Sequence, residues 1–336
     1  MLSRISIDEN SSTPKYIQVA ESVIDLIESG KIKLGEKLPS INEAYRQLNI
    51  SRDTLINAYD ELKSRGVIAP QHGKGYYIAN VNTPRFLKVF VLFDVMNGYK
   101  AILYRSLEKH LGPNCSIDIY FHHYNHRLFE SLIQSNLGSY SWYIIMPHFN
   151  EDVSQVVRKI PQEKLILIDN IVPKLEQNNA AVFQDFENDI YNALNSGSDS
   201  LKKYRRLFMV INKEFQFIPD GLMNGFRKFT EEFRIEHGFI DTIREHQPEE
   251  GDVFLVFTDN DLVDLIKISH EKKLKLGKQI GIISYDDTPL KEVLAGGITV
   301  ISTDFKKMGE TAARLIHDKT KIKIANPCSL ILRKSL

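Results

Sequence analysis

The chain has 336 residues, of which 43% are hydrophobic and 26% charged, and its 43 basic and 43 acidic side chains cancel. This length predicts two or three domains, and the composition is that of a globular protein. There is no apolar run near the ~18 residues of a membrane span, and the N-terminus lacks the apolar core of a secretory signal. The two cysteines, Cys115 and Cys328, fit no metal-binding spacing. We therefore expect a cytoplasmic protein with reduced cysteines, no cofactor, no metal and no membrane partner.

Helix signals follow one another in the first part of the chain. An apolar stripe at helical spacing predicts a first helix, which Gly30 ends. Ser40, with a glutamate three residues later, forms a capping box for a second helix that ends near Leu48. Ser51 caps a third helix, and Gly66 closes it. Two β-prone runs around a His-Gly-Lys-Gly turn then complete a winged helix-turn-helix, which we assign to residues 1–78.

The third helix of such a domain enters the DNA major groove, where every base pair shows a distinct pattern of donors and acceptors. Arg52 could pair with guanine or phosphate and Asn57 with adenine, while glycines beside Lys74 would allow close approach of the wing. The predicted DNA-binding residues are Ser40, Asn42, Ser51, Arg52, Thr54, Asn57, Gly73, Lys74 and Gly75.

Four short sequence motifs, which occur in this order along the chain, support this assignment. They are P-x-Y-x-Q from Pro14, G-x-x-L-P-S at 35–40, S-R-x-T with A-Y-x-E-L within 51–62, and G-x-G at 73–75. Together they resemble the GntR family of bacterial transcription regulators, which implies double-stranded operator DNA as a partner. The chain departs from the family where arginines are common: it has Asn42 there, and Gln-His just before the wing.

Charge bears on how such a domain would act. The first 80 residues hold ten Lys or Arg and ten Asp or Glu, so one copy gains little from counterion release. Two copies on adjacent half-sites would offset that weakness through effective concentration. The charge balance therefore favours a homodimer.

Residues 79–85 carry no periodic apolar pattern and include Pro84, so we predict a linker there. From 86 to 336, short buried strands alternate with amphipathic helices, which is typical of parallel α/β folding. Strands are expected at 87–93, 116–120, 142–146, 165–168, 207–210, 253–257, 279–284 and 299–301, and helices at 99–110, 187–196, 222–233 and 261–271.

Residues 277–316 resemble the effector domain of LacI/GalR-type repressors and periplasmic sugar-binding proteins. The matching words are Y-D-D at 285–287 and T-D-F at 303–305, with weaker matches at L-I-D 167–169 and G-F 225–226. The resemblance implies a two-lobed, periplasmic-binding-protein-like α/β domain over residues 86–336 that clamps a small molecule. The pairing with a GntR-type module is similar to that of arabinose-type repressors.

Ligands of open α/β sheets bind outside the carboxyl ends of the strands. Asp286 and Asn260 suit sugar hydroxyls, and aromatic rings such as Phe305 suit the apolar face of a sugar. The predicted ligand-binding residues are Asn97, Tyr99, His148, Gln184, Asp220, Asn260, Asp286 and Phe305, with Phe149 and Phe183 as further candidates for the lining.

Some neighbouring positions carry a different expectation. Asp287 is better suited to capping its turn than to touching ligand. The family's arginine falls on Leu222, so Asp220 or Arg227 replaces that contact, or the ligand is less polar there. The lack of a basic pocket argues against a phosphorylated sugar, although Arg227 and Lys228 leave some room.

Enzyme motifs are missing from the sequence. The adjacent carboxylates at 286–287 would point in different directions, and there is no nucleophile elbow or H-E-x-x-H. The histidine-rich FHHYNH at 121–126 is expected to be a polar surface segment rather than a metal site. An aminotransferase-like domain needs a longer chain, and the strand-rich second part disfavours a helical metal-dependent domain.

The sequence therefore predicts a DNA-binding regulator, and a repressor of a carbohydrate-utilisation operon in particular. A small neutral monosaccharide, a pentose or a 6-deoxyhexose, would release it from DNA. Two alternatives stay open at this point. The effector could be a non-sugar metabolite, or the sugar could recruit the protein to DNA instead of releasing it.

Overall fold

The computed structural model describes residues 5, 7–9, 13–81, 86–175, 178–211, 217–244 and 246–336. The chain forms two compact units, of which the first comprises residues 1–90, 113–118 and 131–143 and the second the remainder. Most of the predicted linker, residues 82–85, lies outside the described residues. None of the described helices is both long and apolar enough to cross a membrane.

The four helices that the sequence pattern predicts in the α/β part all form, together with others that it did not name. The helices are α1 (Lys15–Glu28), α2 (Ile41–Gln47), α3 (Arg52–Ser64), α4 (Gly98–Leu111), α5 (His126–Asn136), α6 (Ser154–Val157), α7 (Phe186–Ser196), α8 (Ser198–Leu201), α9 (Asp220–Glu232), α10 (Asp259–Glu271), α11 (Pro289–Val293) and α12 (Phe305–Asp318). The strands are β1 (Ile68–Gln71), β2 (Gly75–Ile78), β3 (Leu87–Phe93), β4 (Cys115–Phe121), β5 (Trp142–Ile145), β6 (Leu165–Asp169), β7 (Ala180–Phe183), β8 (Arg206–Val210), β9 (Glu236–Ile240), β10 (Asp252–Val256), β11 (Ile280–Tyr285), β12 (Thr299–Thr303), β13 (Lys323–Ala325) and β14 (Cys328–Ile331).

The N-terminal helices and wing form as their capping residues predict. The Ser40 side chain accepts a hydrogen bond from Glu43 N at 3.3 Å, and Ser51 accepts one from Thr54 N at 3.1 Å. The buried faces of α1 and α3 share one apolar core. Strands β1 and β2 pair antiparallel around a turn in which Gly73 has a φ of 69°, a value that glycine adopts readily. The winged helix-turn-helix is therefore confirmed.

Two six-stranded sheets make up the α/β part. Their strand orders are β13-β7-β6-β5-β3-β4 and β14-β12-β11-β10-β8-β9. The chain builds the first sheet through β7 and the second through β12, and then adds β13 to the first and β14 to the second. This is the predicted two-lobed α/β architecture.

The eight predicted strands all form, each within two residues of its expected ends. The sequence pattern did not identify β9, β13 and β14. Residues in these three strands are exposed or only half-buried. Strands at the edge of a sheet bury little surface and so lack the apolar pattern that marks a central strand.

A glycine marks each of two close helix contacts, α4 against α12 and α7 against α9. A Cβ on Gly309 would lie 2.6 Å from the carbonyl oxygen of Leu103, and a Cβ on Gly225 would lie 2.2 Å from that of Glu187. These distances are far below van der Waals contact, so any side chain would force the helices apart. Gly225 belongs to the G-F motif at 225–226, and Gly309 lies within residues 277–316, the segment that carries the resemblance.

We expect Gly225→Ala to destabilise the protein by about 1–3 kcal/mol, because the added methyl group overpacks the α7–α9 contact. Urea unfolding of the full chain measures this loss. Asn224→Ala is the matched control, because Asn224 is the exposed neighbour of Gly225 on the same helix. Equal midpoints for Gly225→Ala and wild type would contradict the close helix approach.

Candidate functional site

The carboxyl ends of several parallel strands bring polar side chains together in the second compact unit. They are Asp94 after β3, His148 after β5, Asp169 at the end of β6, Gln184 after β7 and Asp286 after β11. The first four lie at the same edge because the parallel strands of one sheet finish there, whereas Asp286 follows a strand of the second sheet.

Opposite charges alternate through the centre of this group. The Lys100 ammonium contacts one oxygen of Asp94, and the other oxygen accepts a hydrogen bond from His148 Nδ1 at 2.8 Å. His148 Nε2 lies 2.8 Å from the Asp169 carboxylate, at an angle outside hydrogen-bond geometry, so this attraction is mainly electrostatic. All four side chains are buried. We call Lys100, Asp94, His148 and Asp169 the ion chain.

Members of the ion chain shift the pKa values of His148 and Asp94 in favour of their charged forms. Burial lowers the pKa of His148, but the carboxylates of Asp169 and Asp94 outweigh burial and raise it to about 9. Burial likewise raises the pKa of Asp94, yet His148 and Lys100 hold it well below its ordinary value. At neutral pH the imidazole therefore carries a charge, and the four side chains sum to zero.

Gln184 extends the ion chain from the first sheet to the second. Its amide nitrogen donates to Asp169 Oδ1 at 2.5 Å, and its amide oxygen accepts from the Tyr285 hydroxyl at 3.3 Å. The Tyr285 ring stacks on Phe257, with ring centroids 5.1 Å apart. Gln184 is thus a direct polar link between the strand ends of the two sheets.

Asp286 differs from the ion chain because it has no partner for one of its oxygens. Its Oδ1 is buried without a hydrogen bond among the described residues. Burial, and then the charge of Asp169, raise the pKa of Asp286 to about 7. Its backbone has a φ of 60°, in the left-handed region that costs energy for a residue other than glycine. A strained residue with an unsatisfied buried acceptor is a candidate for ligand contact.

Lys291 supports the turn that presents Asp286. This lysine is buried, and its ammonium donates to the carbonyl oxygens of Tyr285 at 2.9 Å and Asp286 at 2.7 Å. The contact is with the backbone of Asp286, which leaves the buried Oδ1 of its carboxylate unpartnered.

Asp287 has a structural role, but its carboxylate pairs with Arg333 instead of capping its own turn as the sequence suggested. Its two oxygens accept from the Arg333 guanidinium at 2.8 and 2.7 Å, and its backbone N–H donates to Ser302 Oγ at 3.0 Å. This bidentate pair ties the turn to the C-terminal segment of the chain.

The structure places the predicted ligand residues in different surroundings. His148, Gln184 and Asp286 lie at the strand ends described above. Tyr99 and Phe305 stack on each other, with centroids 4.3 Å apart. Three other positions are exposed: Asn97 caps α4, and Asp220 and Asn260 occupy the first turns of α9 and α10.

Sequence reasoning did not select Asp94, Lys100 and Asp169 as site residues. Each of the two aspartates lies where a predicted strand ends. The rule that ligands bind at the carboxyl ends of strands could therefore have identified them. Lys100 gave no signal, because a lysine in the first turn of an amphipathic helix is ordinarily solvated.

The prediction for the histidine-rich segment was wrong at His122. That side chain is fully buried, its ring stacks on Phe149 at 4.6 Å, and its Nδ1 accepts from Tyr124 N. Burial lowers the pKa of His122 to about 4, so the ring is neutral. Burial, and then the nearby negative charge of Asp94, raise the pKa of Tyr124 well above its ordinary value. No metal-ligand cluster occurs within the described ranges.

The two cations of α9 that the sequence offered as ligand contacts, Arg227 and Lys228, lie over aromatic rings. The Arg227 guanidinium lies over the Phe239 ring at 4.9 Å, and the Lys228 ammonium lies over the Tyr191 ring at 4.4 Å. Both side chains are exposed, whereas Leu222, where the family's arginine was expected, is buried in the core.

The predicted DNA-binding residues form a second candidate site, in the first compact unit. Of the nine, only Thr54 is half-buried, and the others are exposed. Arg65 near the end of α3 is committed to Glu21 at 2.6 Å and Glu61 at 2.7 Å. It therefore stabilises the packing of α3 on α1.

Comparison with known proteins finds a family match in each of two segments of the chain. Residues 15–78 match the bacterial regulatory proteins of the gntR family, and residues 202–336 match the periplasmic binding protein-like domain. Over 75 residues, 22% of this chain and 58% of the relative, the chain is 39% identical to the HTH-type transcriptional repressor YtrA of Bacillus subtilis. Over 71 residues, 21% of this chain and 20% of the relative, it is 31% identical to the arabinose metabolism transcriptional repressor of Geobacillus stearothermophilus. The chain thus spans less than two thirds of either relative.

Among solved structures, the fold is similar to that of a LacI family transcriptional regulator from Arthrobacter sp. FB24 in complex with lactose. The TM-score is 0.61 at 16% identity, and the match covers 74% of this chain and 99% of that one. This chain therefore joins a GntR-type winged helix-turn-helix to a periplasmic-binding-protein-like domain.

Proposed function

We propose that the protein is a cytoplasmic, DNA-binding transcriptional repressor of a carbohydrate-utilisation operon, which a small sugar releases from its operator. The observation that carries this proposal is the pairing of an exposed α3 face and wing with a buried polar site at the strand ends of an α/β domain. We assign no catalytic role to the chain.

The repressor part rests on the geometry of the winged helix and on the relatives. Arg52 and Asn57 are exposed on α3, and Lys74 is exposed in the wing turn. Both relatives named above are repressors. Since the domain carries little net charge, we propose that two copies in a homodimer bind a symmetric site.

The sugar part rests on Asp286 and on its surroundings. A carboxylate can accept hydrogen bonds from neighbouring hydroxyls, and aromatic rings suit the apolar face of a sugar. The lactose in the Arthrobacter structure supports the same ligand class. A neutral pentose or 6-deoxyhexose stays the prediction from sequence, and a non-sugar metabolite is the alternative.

Arg52→Ala should weaken binding to operator DNA by about 1–3 kcal/mol per half-site, because a bidentate base contact is lost. The probe is a duplex selected by the full chain from a random library, with affinity measured by gel shift. Lys63→Ala is the matched control, since it removes an exposed cation from the far end of the same helix. Equal losses in both variants would contradict a specific role for Arg52.

Asp286→Asn should weaken sugar binding by about 1.5–3 kcal/mol, because charge-assisted hydrogen bonds are lost. The same variant should melt at a higher temperature than wild type at pH 8. The folded-state pKa of Asp286 is raised to about 7, so wild-type stability falls as pH rises from about 4 through 7. Asparagine escapes this loss, and the two melting curves should converge as the pH is lowered toward 4.

Asp287→Asn is the control, because this carboxylate is bound to Arg333. It should lower the melting temperature and change sugar affinity less than Asp286→Asn does. Calorimetric titration and thermal unfolding of the two variants compare these effects directly. The reverse order would show that the ligand contact belongs to Asp287.

The bound sugar should lower operator affinity by roughly 5–150-fold, the range of ordinary allosteric coupling. A sugar can shift the protein only by binding one conformation better than another. Gel-shift titration with and without the sugar measures this factor, and flexible residues inserted into the linker at 79–85 should reduce it. A rise in operator affinity would make the sugar a co-repressor or the protein an activator.

A further inference from the structure

The histidine-rich segment that follows β4 contains a strained turn. His123 and Tyr124 have φ values of 49° and 57°, so two consecutive residues other than glycine adopt the left-handed conformation. This conformation costs energy because it brings Cβ too close to the following carbonyl oxygen. Such costs persist only where the surrounding structure enforces them, and they concentrate at functional sites.

Backbone hydrogen bonds attach this turn to the strand-end site. Strand β4 is the neighbour of β3 in the first sheet, and His122 N donates to the carbonyl oxygen of Phe93 at 2.9 Å. One residue later, His123 N donates to the carbonyl oxygen of Asp94 at 2.8 Å. The turn therefore lies beside the backbone of a member of the ion chain, and Tyr124 is the next residue.

The buried imidazole of His122 holds the turn in this conformation. Its Nε2 lies 3.2 Å from the carbonyl oxygen of Met146 at the end of β5, and its Nδ1 lies 3.2 Å from Tyr124 N. A carbonyl oxygen only accepts and a backbone N–H only donates, so a neutral ring with its proton on Nε2 satisfies both contacts. The lowered pKa of His122, about 4, keeps the ring in this neutral form.

The Tyr124 side chain reaches the carboxylates of the ion chain. Burial, and then the charges of Asp94 and Asp169, raise the pKa of its hydroxyl well above the ordinary value, so the phenol stays protonated. Nearby anions favour an O–H proton that is directed toward them, and this leaves the oxygen lone pairs for a donor from elsewhere. The side chain is only half-buried, so part of it is open to a ligand.

We propose that Tyr124 binds the effector sugar, with its ring against the sugar and its phenol oxygen accepting a hydrogen bond from one sugar hydroxyl. His122 is the positioning residue that holds Tyr124 in place through the backbone. This inference rests on the proposed function, because it adds a residue to the same ligand site. Tyr124 would make the site specific for sugars that present a hydroxyl at this point.

Calorimetric titration of the full chain with arabinose, xylose, fucose, glucose and galactose identifies a sugar that binds. For that sugar, Tyr124→Phe should weaken binding about threefold to tenfold, the loss that one hydrogen bond of ordinary strength gives. Tyr104→Phe is the matched control, because it removes a phenol hydroxyl that donates to Glu108 on α4. It should bind the sugar as wild type does.

Monodeoxy derivatives of the same sugar test which hydroxyl Tyr124 contacts. Loss of that hydroxyl should weaken binding to wild type about as much as Tyr124→Phe does. The same derivative should bind Tyr124→Phe no more weakly than the parent sugar does, because the hydrogen bond is already absent. Independent losses for every derivative would contradict the proposed contact.

Two substitutions of His122 separate positioning from packing. Asparagine keeps an acceptor, Oδ1, where Nδ1 of the histidine lies, whereas leucine has none, and both lose the contact with Met146 and the stacking on Phe149. Both variants should therefore melt at a lower temperature. His122→Leu should lose at least as much sugar affinity as Tyr124→Phe, with little further loss in the double variant, and His122→Asn should recover most of it.

The possible outcomes distinguish this inference from the proposed function. Unchanged sugar affinity in Tyr124→Phe, or an equal loss in Tyr104→Phe, would overturn the contact and leave the sugar-released repressor standing. Equal sugar affinities of the two His122 variants would overturn the positioning role. If no sugar in the panel binds while operator DNA does, the sugar response fails, and the contact with Tyr124 fails with it.

Discussion

His148 lies between two buried carboxylates, and the electrostatics of the strand-end site follow from this position. Its ring nitrogens face Asp94 and Asp169 at 2.8 Å each. Because the ring is protonated, three segments of the first sheet are joined by opposite charges, and Lys100 completes the balance. Removal of any one member would leave a buried charge without its partner, which usually costs far more than the pair contributes. The ion chain therefore gives the first sheet a polar edge in which the charges are paired.

Asp286 differs from the ion chain because one of its buried carboxylate oxygens has no partner among the described residues. The charges of the ion chain are paired with one another, although His148 Nε2 has no hydrogen bond among the described residues. Asp286 stands opposite on a left-handed turn, which Lys291 holds through the backbone. The strained backbone and the unsatisfied acceptor of this residue both lower the stability of the folded protein. Residues with such costs concentrate at functional sites. Asp287, one residue later, shows the alternative: it is paired with Arg333 and serves the fold.

In the winged helix, too, some charged residues stabilise the fold while others are exposed on the surface. Arg65 forms ion pairs with Glu21 and Glu61, so this cation stabilises the packing of α3 on α1. The cations left on the surface are few and are balanced by acidic residues across the domain. Affinity for DNA from charge alone would therefore be modest, and under the proposed function sequence reading would come from positioned contacts such as the one proposed for Arg52. This weakness makes a two-fold arrangement of domains physically reasonable.

The sequence by itself determined the features whose physical cause is local. Ser40 and Ser51 cap their helices through donors three residues away, and apolar runs mark the central strands, because both causes lie within a few neighbouring residues. Tertiary structure decided the rest. The exposed edge strand β9 carries no apolar pattern, and Lys100 is buried only because distant elements cover it. His148 meets Asp94 across 54 residues of sequence, and adjacent aspartates differ only because Arg333 comes to one of them. Such pairings depend on which strand ends the fold brings together, and no spacing along the chain encodes them.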